Sequence, residues 1–176
     1  HVTLSDLARE TREGTGDAGI CFELAVHQAI ESRNPLIHPL VSEVLDEHII
    51  DLATNLCEED RVEILGTGSD ILWGIESSVK SSEESCVALT PEGQVICMFG
   101  ITTGWQLIGE ACPWFLATEL IHNYRREVVK LAGPVLQKWL SQYGILTNYV
   151  DSRHARAISW LRHMGATFEE IPAFGI

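Results

Sequence analysis

A thiol, an imidazole and a carboxylate stand at Cys112, His122 and Asp151, the residue types needed for a nucleophile, its base and an orienting acid. Nothing in their spacing supports such a set, so a buried cysteine and a surface histidine are the favoured reading. The cysteines Cys21, Cys57, Cys86, Cys97 and Cys112 are odd in number and widely spaced. That pattern fits a reducing compartment and buried small hydrophobes better than a disulfide framework. No CxxC occurs and no pair of histidines sits one helical turn apart, so no metal ligand is assigned. Arg125 and Arg126 form a paired basic step. With 25 acidic residues in the chain, composition nominates no general base. Of the tryptophans, Trp114, Trp139 and Trp160 lie on apolar stretches that read as core; Trp73 and Trp105 are candidates for an interface.

Composition excludes several roles. The net charge of −13 includes no Lys/Arg cluster of the kind that phosphate contacts require, which argues against nucleic-acid binding. No apolar run approaches the ~20 residues of a membrane span. The first residues, HVTLSDLARE, are polar and acidic, unlike a secretory leader. A hydrophobic share of 45% against 21% charged suits one globular domain with a small appendage.

The elements that must position these residues follow from periodicity. Residues 1–34 read as an N-terminal arm. Within it Ile20, Phe22, Val26, Ala29 and Ile30 predict a short amphipathic helix over 20–32, a candidate docking element closed by Asn34-Pro35. Residues 35–176 form the main domain. A short strand is expected between Leu36 and Val44, then a helix carrying Leu45, Ile49, Leu52, Ala53 and Leu56 and ending in Glu58-Glu59-Asp60. Ser69-Asp70 should cap a second helix that turns Leu72, Ile75 and Val79 inward. Cys86–Leu89 and Gln94–Phe99 flank Pro91-Glu92-Gly93 as an antiparallel hairpin, and Ala111–Thr118 reads as a central strand buried on both faces. A long helix spans Glu119–Tyr143, kinked or split at Gly133-Pro134, with Gly144 as its C-cap. A strand at Leu146–Val150, a helix capped by Asp151-Ser152 and stopped by Gly165, and a strand at Thr167–Ile171 complete the order.

Tyr149 through Ala166 contains Ala157-Ile158 and Gly165, and this stretch resembles the last strand–helix–strand of the GNAT superfamily of acyl-CoA N-acyltransferases. His154 stands where that pattern usually has Asn, and Ala166 where it has Phe. Phe99-Gly100, Pro113-Trp114-Phe115-Leu116, Arg125-Arg126, Asn148-Tyr149-Val150 and Met164-Gly165-Ala166 are similar to a branch of the superfamily found in short-tailed phages. Members of that branch are regarded as acyltransferase-like or as internal virion and core-assembly proteins. The resemblance implies an α/β (α+β) fold, a mixed, mostly antiparallel sheet flanked by helices, and one more strand beginning at Pro172–Ile176.

It also implies an acetyl-CoA site. Phe115, Leu116 and Ala117 would carry the pantetheine arm, Thr118 would open the phosphate loop, and Arg125 and Arg126 would face the phosphates. Two family features are missing. The loop from Thr118 to Tyr124 has no glycine and carries Glu119, and Leu161 stands where many members have a proton-donating tyrosine. The resulting expectation is a virion-associated or assembly protein, catalytically degenerate, in the virion or host cytoplasm. It would need no cofactor and would contact other virion proteins through residues 20–32. The alternatives are an acetyl-CoA-dependent N-acetyltransferase acting on a host or phage amine, and a CoA sensor without turnover.

Overall fold

The computed structural model describes residues 19–25, 40–103 and 110–171. Among these, seven strands form one sheet: β1 (Gly19–Ala25), β2 (Leu40–Ser42), β3 (Glu84–Leu89), β4 (Val95–Thr102), β5 (Glu110–Ala117), β6 (Ile145–Asp151) and β7 (Thr167–Ile171). Their order is β2-β3-β4-β5-β6-β1-β7. All neighbours run antiparallel except β5 and β6. The helices are α1 (Asp46–Asn55), α2 (Glu58–Gly66), α3 (Ile71–Ser81), α4 (Arg125–Tyr143) and α5 (Ala155–His163), with a 3-10 turn at Glu119–His122. This is the expected mixed, mostly antiparallel α/β architecture. No helix among the described residues is long and apolar enough to cross a membrane.

The core lies on both faces of the sheet. Leu52, Leu56 and Ile75 from α1, its C-cap and α3 pack with Val87, Val95 and Met98. Leu136, Trp139, Ile158 and Leu161 from α4 and α5 pack with Ala88, Ile96, Phe99 and Leu146. β4 is therefore buried almost throughout. The β3–β4 hairpin closes through Thr90, whose N–H donates to the Gln94 carbonyl at 2.9 Å, and Gly93 supplies the positive φ of 86°. Gly144 caps α4 at φ 77°, donating to the Leu140 carbonyl at 2.8 Å.

Several expectations are corrected. Residues 19–25 are not helical. Ile20, Phe22 and Leu24 recur at period two, and the segment is a strand hydrogen-bonded between β6 and β7. The rest of the 20–32 stretch lies outside the described residues, as do Pro172–Ile176, so the strand expected there is not described. Glu58-Glu59-Asp60 begins a helix instead of ending one, because carboxylates favour the positive end of the helix dipole. Leu72 faces solvent, while Ile75 is buried. The chain makes its 3-10 turn before α4, and α4 then runs through Pro134 without splitting. The Asp151 carboxylate accepts from the Arg153 N–H at 2.8 Å, which leaves His154 to cap α5.

Candidate functional site

β5 and β6 pair only at Glu110↔Ile145 and Ala111↔Leu146, then part. Thr118 N–H donates to the Ile96 carbonyl at 3.0 Å, which sets the alternation of β5: Leu116 and Trp114 bond toward β4, while Pro113, Phe115 and Ala117 turn their backbone groups toward β6. At one end of the gap the Asn148 side-chain amide donates to the Pro113 carbonyl at 2.7 Å. At the other, Ala117 N–H donates to Asp60 Oδ2 at 2.7 Å, and its carbonyl accepts from Cys57 N–H at 2.9 Å. Between them the Phe115 amide and carbonyl face an open cleft of about 1130 Å³. Its mostly apolar walls include Phe115, Leu116, Tyr149, Val135 and Trp160. Phe115 and Trp160 meet across it with ring centroids 5.6 Å apart.

Asp60 sits at the Ala117 end of the gap. It is 6% exposed, and its Oδ1 lies 3.1 Å from His154 Nε2. His154 Nδ1 accepts from the Ala157 N–H at 3.3 Å, so the network places the imidazole proton on Nε2, donating to Asp60. That bond raises the affinity of His154 for a second proton. Glu63, one turn beyond Asp60 on α2, is pushed up to about 7, first by burial and then by the charge of Asp60. Burial, and next the same carboxylate, push both the Cys57 and Cys97 thiols up to about 12, which makes them poor nucleophiles.

Two guanidinium groups flank the cleft mouth. The Arg125 terminal nitrogen lies 3.1 Å from His122 Nδ1, and that of Arg156 lies 3.0 Å from Nε2. A neutral imidazole has one lone pair. Glu119 lies 3.3 Å from Nε2, so with Nδ1 accepting from Arg125 the ring donates Nε2–H to Glu119, and the Arg156 nitrogen beside Nε2 has no lone pair there to donate to. Arg156 then pairs with Glu59 at 3.3 Å.

Of the residues singled out from sequence, Phe115, Leu116, Ala117 and Arg125 line the cleft. Thr118 is 1% exposed and donates to the Val95 carbonyl at 2.7 Å, and Arg126 is exposed on α4 away from the lining. Leu161 is buried in the cleft wall. The imagined thiol–imidazole–acid set is not assembled: the His122 ring faces Arg125, Arg156 and Glu119, while the Asp151 carboxylate binds Arg153 at 2.6 Å. Sequence reasoning missed Asp60, Glu63, His154 and Arg156. The one available signal was His154 in a family position usually held by Asn.

No family model matches the chain, and no curated protein matches it. Solved structures do. An acetyltransferase from the GNAT family of Colwellia psychrerythraea superposes with a TM-score of 0.60 at 11% identity, covering 88% of this chain and 53% of that one. The fold is that of the GNAT acyltransferases. A GCN5-related N-acetyltransferase from Sphaerobacter thermophilus gives 0.54 at 14% identity, covering 92% and 54%. This chain therefore spans about half the length of these GNAT structures. In it the strand between β6 and β7 is β1, from the N-terminal side of the domain.

Proposed function

We propose that the protein is an acyl-CoA-dependent N-acyltransferase that acts on an amine, with the gap between β5 and β6 as its thioester site. The observation that carries this reading is the parting of the two strands beyond Ala111 and Leu146, which turns the Phe115 amide and carbonyl into an apolar cleft. A pantetheine arm is an extended chain with amide groups, and such a ligand adds to an open strand edge as another strand would. Arg125 and Arg156 at the mouth supply donors for phosphate oxygens. Tyr149 is the one phenol in the cleft lining and takes the role of proton donor that Leu161 cannot fill. Calorimetry with acetyl-CoA tests the reading. A one-to-one isotherm near micromolar affinity is expected, followed by thiol release with an amine acceptor that falls in Tyr149→Phe. A flat titration would overturn it.

A second reading is favoured by Leu161, buried where a donor is expected, and by Asp60 on the Ala117 amide beside Phe115. Here the fold serves as a packing module of a phage virion or of its assembly, in the particle or the host cytoplasm, against other virion proteins. The paired edges of β1 would leave docking to residues beyond 25 in the 20–32 stretch. Co-sedimentation with particles and no acetyl-CoA heat would favour it.

A further inference from the structure

We propose that Asp60, Glu63 and His154 form a binding site for a divalent first-row transition-metal ion. One ligand atom from each lies within 4.8 Å of the others, in the cleft lining at the Ala117 end of the gap. Ligands that share one ion at bonds of about 2.1 Å sit about 3.0–3.5 Å apart, so binding draws the three inward by roughly 1 Å. The positions are held by the fold. Asp60 is anchored through Oδ2 by the Ala117 N–H, Glu63 follows one helical turn later on the same face of α2, and His154 is oriented by the first turn of α5.

Charge points the same way. Three other carboxylates around the cleft and sheet have strong cations: Glu59 has Arg156, Asp151 has Arg153, and Glu84 has Lys138 at 2.6 Å. Asp60 and Glu63 share one imidazole between them, and neither forms an ion pair with an arginine or lysine among the described residues. A divalent ion supplies the missing positive charge. One imidazole nitrogen with two carboxylates suits Mn²⁺, Fe²⁺ or Zn²⁺, and three protein ligands leave positions open to the solvent of the cleft. On binding, the His154 proton moves from Nε2 to Nδ1, and the 3.3 Å cap from Ala157 is exchanged for the metal bond.

The inference is independent of thioester binding and is tested without it. Mn²⁺ is the probe, because its hard character avoids the scattered thiols. In a titration followed by the electron paramagnetic resonance of free aqueous Mn²⁺, about one equivalent should disappear at affinities well below about 1 mM. Glu63→Gln should weaken binding by about tenfold or more, whereas Glu58→Gln, on the outer side of the same helix, should leave it unchanged. Thermal unfolding of both variants establishes that each is folded, and Mn²⁺ should raise the midpoint of the wild type and of Glu58→Gln but much less that of Glu63→Gln. A free-ion signal undiminished to about 1 mM, or equal binding by Glu63→Gln and wild type, would overturn the proposal.

Discussion

Asp60 and His154, 94 positions apart in sequence, meet through a 3.1 Å hydrogen bond between Oδ1 and Nε2. Through its other oxygen Asp60 holds the Ala117 amide, so one carboxylate ties β5 to the turn after β6 where the sheet opens. Asp60→Asn keeps the volume but removes the charge and presents a donor to at least one existing donor. Breaking one partner of a buried charged network costs about 3 kcal/mol. Urea unfolding should show that loss, and Asp60→Asn combined with His154→Ala should cost less than the sum of the two. Additive losses would mean that the pair is not coupled.

Stability should fall as pH rises from the carboxylate range toward neutrality. Glu63 in the fold titrates at about 7, above its ordinary 4.5, so the folded state holds a proton that the unfolded chain releases. Its contribution is full below about 4.5 and is lost by about 7. His154, also raised, contributes below its ordinary value and loses that contribution as pH rises through the folded one. Asp151 is held low, first by Arg153, and gives up its contribution only in acid. The thermal midpoint should therefore be higher near pH 5.5 than near pH 8. Glu63→Gln should narrow the difference, and an unchanged slope in that variant would contradict the assignment.

Gly100 touches the Trp114 ring. A Cβ built there lies 2.7 Å from ring atoms including Cε2, and the ring is held by its Nε1–H donating to Ser82 Oγ at 2.7 Å. Overpacking of this kind costs about 2 kcal/mol. Gly100→Ala should lose that much in denaturant unfolding, and Trp114→Leu in the same chain should recover part of it.

If the cleft mouth holds phosphates, Arg125→Ala and Arg156→Ala should each weaken acetyl-CoA binding by about tenfold, the value of one charge-assisted contact. Arg126→Ala, exposed and outside the lining, should leave affinity unchanged. Calorimetry on the three variants separates the arginines. Equal effects at Arg125 and Arg126 would mean that only net charge matters.

Local pattern made much of the architecture legible. The Pro91-Glu92-Gly93 turn, the apolar run of β5, the Asp70 cap, whose Oδ1 accepts from Trp73 N–H at 3.2 Å, and the stops at Gly144 and Gly165 each depend on neighbours a few residues away. Period and turn chemistry suffice for such features. The 19–25 segment defeated this reading, because its apolar residues fit both a helix stripe and a strand, and only pairing with β6 and β7 chooses between them. The acidic run at Glu58 was misplaced for a related reason, since one charge pattern both follows α1 and starts α2.

By itself the sequence determined the order of elements from β3 to β7, the position of the central strand and the GNAT-like character of the last strand–helix–strand. Those are encoded in residues close together along the chain. Tertiary structure alone decided that Asp60 and Glu63 from α2 face His154 beyond β6, that Arg156 joins Arg125 at the mouth, and that β1 fills the place beside β7. Each of these joins residues separated by dozens of positions, and their contacts depend on how strands pack and part, which no spacing in the chain records.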